Sequence, residues 1–157
     1  LKEYFAPLSS WTLRIIASDI SGEILRRARE GIYSQLEISR GLPASLLVKY
    51  FQQNGIEWQV KDEIRKMIEF HQINLSGQWP TLPAMDIIML RNVMIYFEVG
   101  TKKIILGKVR RALRQDGYLF LGSAETTMNI DDSFKSVQVG QTRCYHLRER
   151  REKRPCL

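Results

Sequence analysis

The chain has 157 residues and a formal charge of +7, a length that suits one domain. Its 44% hydrophobic and 26% charged residues exclude intrinsic disorder for most of the chain. No run approaches the ~18 uncharged apolar residues of a membrane span, because Asp86 and Arg91 interrupt the best candidate, residues 85–94.

Residues 1–5 read as the end of a helix stopped near Pro7. Residues 12–18 are apolar and β-branched, the pattern of a buried strand, and the strand ends at Asp19. Ser21 offers a helix N-cap and Glu23 suits the positive end of that helix. Ile24, Leu25 and Ala28 make its apolar face, and Gly31 can end it. Pro43 suits another helix start, followed by Leu46, Leu47, Tyr50 and Phe51 at helical spacing and a turn at Asn54 and Gly55. Glu57–Val60 alternates as a short strand. Residues 67–75 contain a longer one with Ile68, Phe70 and Gln72 on one side, and these two strands are expected to pair antiparallel.

Residues 77–83 are loop. Residues 86–90 form a continuous apolar run, the mark of a strand covered on both faces, closed by Arg91 and Asn92. Residues 101–114 form an amphipathic helix, with Ile105, Val109 and Ala112 inward and Ile104, Leu106 and Leu113 flanking. Asp116 and Gly117 mark a turn, and residues 118–122 a buried strand. Phe134–Val139 and Thr142–Leu147 make a hairpin joined at Gly140. Strands alternating with helices, then a hairpin, predict an α/β doubly wound sheet with an antiparallel edge.

The positive charge is uneven. Residues 101–114 carry net +6 with no acid, and residues 148–154 carry net +3. Such a surface attracts nucleic acid, a membrane or an acidic protein. The arginine–aromatic interleaving of single-strand binders is absent, so a solvated helix face and a basic terminus are the plainer account. The first residues show no basic-then-apolar leader pattern, which reads as cytoplasmic. Cys144 and Cys156 suggest neither a disulfide framework nor a metal site.

Ligands of open α/β sheets gather beyond the carboxyl ends of the strands, and three such ends here are polar. Asp19 can accept both hydroxyls of a ribose, or cap the helix that follows. Asn74 and Leu75 can offer a side-chain amide and a backbone N–H to an adenine edge, or simply form a turn. Arg91 and Asn92 close the most apolar strand, where an arginine has few bland explanations. Tyr96 lies four residues beyond Asn92, on the same side of a helical turn, and can present its hydroxyl to a substrate. Ile95 and Phe97 read as core. Glu125, Thr126 and Thr127 would rim the same cleft, and His71 and His146 read as structural. No Ser-His-Asp set, phosphate-binding glycine loop or zinc spacing occurs.

Five segments occur in a telling order: residues 17–21, residues 31–33, Asn74 and Leu75, residues 90–97, and residues 117–125. Together they resemble the chemotaxis receptor methyltransferases of the CheR type. The string Arg91-Asn92-Val93-Met94-Ile95-Tyr96-Phe97 is the most specific; Ala17-Ser18-Asp19-Ile20 is shared with many other adenosylmethionine enzymes. The resemblance implies a Rossmann-like methyltransferase sheet with an antiparallel C-terminal hairpin. It assigns residues 1–147 to a partial catalytic domain, residues 33–69 or so to an inserted β-subdomain, and residues 148–157 to a basic tail. The implied reaction moves a methyl group from S-adenosylmethionine to glutamate side chains on the cytoplasmic helices of methyl-accepting chemotaxis receptors, leaving S-adenosylhomocysteine.

Carried over residue by residue, Asp19 would hold the ribose hydroxyls and Asn74 and Leu75 would flank the adenine. Arg91 and Asn92 would border the methionine part. Tyr96 would lie by the methyl acceptor, where it and Arg91 assist catalysis. No metal, nucleic acid or membrane insertion is implied. The short turn Gln53-Asn54-Gly55 matches members that work without a receptor's pentapeptide tether. The family's first strand, glycine-containing loop and basic N-terminal helical domain have no counterpart in this sequence. The cofactor site is therefore expected to be incomplete, with little or no turnover by this chain alone. The missing strand would leave two unpaired edges, which a second chain can fill as a domain-swapped dimer. Two other readings compete: a methyltransferase acting on a small molecule or RNA, motivated by the basic helix, and a non-catalytic receptor-docking module.

Overall fold

In the first half of the chain, Ile15 and Ile16 open strand β1 (Ile15–Asp19), and helix α1 (Gly22–Glu30) follows it. Ser21 caps α1 by accepting the Ile24 N–H at 3.3 Å, and Glu23 faces the helix's positive end. Gly31 ends α1 with φ at 65°, and a Cβ there would stand 2.9 Å from Arg65 Cδ. The left-handed conformation is what favours glycine, for the Arg65 side chain is flexible enough to give way.

The chain continues as β2 (Ile32–Ser34), α2 (Gln35–Ser39), α3 (Ala44–Tyr50), β3 (Phe51–Asn54), β4 (Glu57–Val60), α4 (Asp62–Arg65) and β5 (Ile68–Gln72). A reciprocal cap starts α2: Ser34 Oγ accepts the Glu37 N–H, and the Glu37 carboxylate accepts the Ser34 N–H at 2.9 Å.

The second half contains β6 (Met85–Leu90), a single 3-10 turn at Met94–Tyr96, α5 (Val99–Ala112), β7 (Leu113–Leu121), β8 (Phe134–Val139) and β9 (Thr142–Leu147). These coordinates are a computed structural model and describe Phe5, Ser10 and residues 11–148. The expected helix end before Phe5, Pro7, the tail beyond Arg148 and Cys156 lie outside the described residues. The chain divides into two units, Leu1–Asn74 and Leu75–Leu157.

In the first unit β1 and β5 pair in parallel, with Asp19 opposite Gln72, while β2, β4 and β3 form a separate antiparallel sheet. This corrects the expected pairing of Glu57–Val60 with the strand after it. Asn54 and Gly55 make the tight turn that a hairpin needs, so β4 folds back on β3. Between β4 and β5 the chain winds through α4 and is redirected. Phe51 likewise leaves the expected helix, because it pairs with Val60 as the first residue of β3. β1 is half-buried rather than buried, having one neighbouring strand, and Ile24 on α1 is exposed.

In the second unit the strand order is β6-β7-β9-β8, with β6 and β7 parallel and the other pairs antiparallel. The mixed α/β architecture with an antiparallel terminal hairpin is as the sequence predicts. Ile105, Leu106 and Val109 of α5 and Leu119 of β7 are fully buried and share one cluster with Leu90 and Met94. Leu106 is therefore core rather than flanking. β6 is covered on one face only, for Leu90 is buried while Ile87 is 50% and Met89 69% exposed.

The turn expected at Asp116 and Gly117 is instead a bulge inside β7. Met85 pairs with Leu113 and Ile87 with Tyr118, so two steps along β6 match five along β7. Gly117 sits where a Cβ would lie 3.0 Å from the carbonyl oxygens of both Met85 and Asp86. That close approach explains the glycine without any hairpin turn.

Candidate functional site

The most ordered polar arrangement in the second unit surrounds Glu125. Beyond the end of β7 the Glu125 N–H closes a turn on Gly122 O at 3.0 Å, which directs the side chain back under the loop that follows β6. Its Oε1 accepts the N–H groups of Val93 at 2.9 Å, Met94 at 2.7 Å and Ile95 at 3.3 Å. Its Oε2 accepts those of Asn92 at 2.8 Å and Gly122 at 2.6 Å. The residue is only 8% exposed. Burial opposes its charge, but the N–H groups of Gly122, Asn92, Met94 and Val93 outweigh that penalty and hold the carboxyl below the usual carboxylate range.

Successive N–H groups converging on one point make an anion-binding concavity. Here the chain supplies the anion itself. Asn92 adopts φ of 58°, a left-handed conformation in which asparagine is over-represented among non-glycine residues. Gly122 leaves the necessary room, since a Cβ there would collide with Asn92 Oδ1 and lie 2.7 Å from Glu125 Oε2. Glu125 therefore does not rim a cleft, as its position in the sequence suggests; it is buried against backbone.

This arrangement decides which side chains of the loop face outward. Met94 turns into the core and is buried, whereas Ile95, expected in the core, is exposed. Tyr96 is 80% exposed, and Phe97 packs partly buried against the core. Arg91 and Asn92 are exposed, and Arg91 makes no hydrogen bond or ion pair among the described residues. One loop thus presents Arg91, Asn92 and Tyr96.

Leu75 belongs to the same unit and packs against its core. Its carbonyl accepts the Trp79 indole N–H at 3.1 Å and the Lys108 ammonium at 2.9 Å. The same ammonium reaches Ser76 O at 3.1 Å and Gly77 O, and lies 5.8 Å from the Trp79 ring centroid. Of the six cations on residues 101–114, Lys108 is thus engaged with backbone. Arg110 reaches Ser133 Oγ at 2.6 Å, and Arg114 reaches Asp86 and Asp116 at 3.3 Å each.

In the first unit, Asp19 is half-buried at the carboxyl end of β1. Its Oδ1 accepts the Ser21 N–H at 2.8 Å, and its carbonyl accepts the Ile73 N–H at 3.0 Å. The second carboxylate oxygen takes no hydrogen bond among the described residues. Asp19 therefore shapes the turn into α1 and keeps one acceptor oxygen in hand. Asn74 is exposed, just past the carboxyl end of β5.

His71 sits 3.7 Å from Glu69, which also binds Arg14 at 2.6 Å. His146 Nδ1 lies 2.8 Å from Leu147 O. Depressions among the described residues include two that none of Asp19, Asn74, Arg91, Asn92 and Tyr96 lines. One of about 330 Å³ in the first unit is lined by Arg29, Asp62, Arg65, Lys66, Ile68 and Phe70. One of about 800 Å³ in the second lies between residues 76–82 and α5. Among the described residues no group of His, Cys, Asp or Glu is placed to hold a metal, and no helix is long and apolar enough to cross a membrane.

Comparison with known proteins completes the picture. The family described as CheR methyltransferase, SAM binding domain, matches residues 1–143. A chemotaxis protein methyltransferase of Pseudomonas aeruginosa is 39% identical over 127 residues, which is 80% of this chain and 46% of that protein. One from Pseudomonas putida is 40% identical over 126 residues, again 80% and 46%. One from Borreliella burgdorferi is 39% identical over 129 residues, 80% and 45%. The chain spans about half the length of the curated relatives it matches.

Proposed function

This chain belongs to the CheR methyltransferase family through its SAM-binding domain, and from that premise we propose that it forms the S-adenosylmethionine-binding part of a protein that methylates glutamate side chains on the cytoplasmic helices of methyl-accepting chemotaxis receptors. Because the match covers about half of each relative, the activity is proposed for the protein that carries this domain.

The observation that carries the reading is the outward presentation of Arg91, Asn92 and Tyr96 by one ordered loop, in the sequence string most specific to the family. By the family resemblance, Asp19 would hold the ribose hydroxyls through the carboxylate oxygen left unengaged, Asn74 and Leu75 would flank the adenine, and Arg91 and Asn92 would border the methionine end. When bound, the cofactor supplies a methyl group activated by its sulfonium.

A glutamate acceptor is ionised at pH 7, so its carboxylate is the nucleophile and no general base is required. What the protein contributes is alignment, worth up to ~7–11 kcal/mol in favourable cases, together with partial desolvation of a carboxylate that must stay charged. The Arg91 guanidinium suits the first task as a carboxylate partner. The Tyr96 hydroxyl can donate one hydrogen bond that orients the acceptor. In the β2-β4-β3 sheet, the compact β3–β4 turn at Asn54 and Gly55 goes with a receptor contact that uses no pentapeptide tether.

The test is transfer of radiolabelled methyl from S-adenosylmethionine to a receptor cytoplasmic fragment by the protein carrying this domain. The expected product is a glutamate methyl ester, which releases labelled methanol in alkali. Label that resists alkali, or that appears on RNA or a small molecule, would refute the proposal. For the 157-residue chain alone, the expected dissociation constant for S-adenosylhomocysteine is weaker than about 10 μM.

A further inference from the structure

We propose that Glu125 is a positioning residue: its buried carboxylate fixes the backbone of residues 92–95 and, through it, the places of the Arg91, Asn92 and Tyr96 side chains. The inference rests on the cofactor and acceptor reading above, and assigns to that site a residue outside its set of contacts.

The argument is one of donors and acceptors. Five backbone N–H groups point at one carboxylate, four of them from consecutive residues of the loop. The loop's own bonds are a single 3-10 turn, Tyr96 N–H to Val93 O at 3.4 Å and Phe97 N–H to Met94 O at 3.1 Å. Without the anion those aligned N–H dipoles repel one another and lose their acceptors away from water. Asn92 holds the left-handed conformation that asparagine tolerates better than other residues with a Cβ, which aims its N–H at the same carboxylate. Among the described residues no hydrogen bond of the Glu125 side chain reaches the helix α5 or the strands β8 and β9, so its effect is confined to this loop and to Gly122. The Leu119, Ile105 and Val109 cluster is apolar and does not depend on it.

Glutamine is nearly isosteric but offers one carbonyl oxygen, and it turns an NH₂ toward groups that are themselves donors. Aspartate keeps the charge and shortens the reach by one methylene. The two variants therefore separate charge from length.

Amide hydrogen exchange on the ¹⁵N-labelled 157-residue chain tests the proposal. In Glu125→Gln, exchange at Asn92, Val93 and Met94 should accelerate by about tenfold or more, while Leu119 in β7 changes by less than about twofold. Glu125→Asp should restore part of the protection. Unchanged exchange at residues 92–94 would overturn the proposal, and so would equal acceleration at Leu119, which would make Glu125 a support of the whole fold. If Glu125→Gln does not fold, the wild-type pH titration decides. The amide resonances of Asn92, Val93, Met94 and Gly122 should share one titration below the usual carboxylate range, and independent titrations would overturn the proposal.

A titration with S-adenosylhomocysteine keeps the two readings distinct. If wild-type chain shows ligand-induced shifts, Glu125→Gln should weaken them by about tenfold, and an unchanged affinity would overturn the proposal. Absence of any shift in the wild type counts against cofactor binding by the chain, and the exchange data then decide the role of Glu125.

Discussion

Glu125 Oε1 accepts the N–H of Met94 at 2.7 Å across 31 positions of the chain. The loop after β6 therefore takes its shape from a side chain that follows β7. Because β6 and β7 are parallel, both their carboxyl ends reach the same edge of the sheet, where the connection is short enough for one carboxylate to span it.

The first prediction concerns acid. Glu125 titrates below its ordinary value in the folded chain, so its contribution is present above the unfolded value near ~4.3 and is lost as pH falls through the lower folded value. Amide exchange corrected for its intrinsic pH dependence and followed from about pH 6 to pH 3 should show residues 92–94 losing protection at the acid end while Leu119 keeps its own. Glu125→Gln should protect residues 92–94 less at neutral pH and show a flatter acid limb. Parallel curves for the two proteins would remove Glu125 as a source of the acid sensitivity.

Lys108 offers a test of the converse charge. Its ammonium gathers the carbonyls of Leu75, Ser76 and Gly77. Lys108→Met keeps the stem and removes the donor, which should destabilise by about 1–3 kcal/mol. Thermal unfolding should register that loss, and an unchanged midpoint would show that water replaces the ammonium without cost.

Two glycines should respond differently to alanine. At Gly122 the added Cβ meets Asn92 N at 2.9 Å and Glu125 Oε2 at 2.7 Å, so the loop must move; the expected cost is about 1–3 kcal/mol with displaced amide resonances at residues 92–95. At Gly140 the φ of 58° is unfavourable for alanine but the space is open. The cost there should be about 1–2 kcal/mol with the same loop untouched. Equal spectral changes at residues 92–95 in both variants would contradict the packing account.

Asp19→Asn keeps an oxygen for the Ser21 N–H and removes the charge. In the protein that carries this domain, thermal stability should stay within about 1 kcal/mol. Affinity for S-adenosylhomocysteine should fall by about tenfold or more, the scale of a hydrogen bond to a charged acceptor. An unaltered dissociation constant would take Asp19 out of the cofactor contacts.

What the sequence discloses here is chiefly what neighbouring residues decide. The terminal hairpin appears with the bounds read from alternation and Gly140, and Ser21 and Gly31 cap α1 as their types suggest. Partner choice is another matter. Glu57–Val60 alternates equally well whichever strand it joins, and only α4 intervening in space sends β5 to β1. Exposure is equally hidden, since the apolar run of β6 does not say that one face lacks a cover. Position after a strand singles out Arg91, Asn92 and Tyr96, but the buried setting expected for Arg91 is not found, because it is exposed. The carboxylate beneath them is not legible, because a glutamate after Gly-Ser-Ala carries no mark of five donors contributed mostly by residues some thirty positions earlier.

That separation also sets an order of events during synthesis. Asn92 precedes its acceptor by 33 residues, and at ~5–20 residues per second a ribosome takes roughly 2–7 s to add them. For that interval the N–H groups of the loop lack the acceptor that the folded chain gives them. The nascent chain can fix this surface only after Glu125 has been made and the end of β7 has folded back beneath the loop.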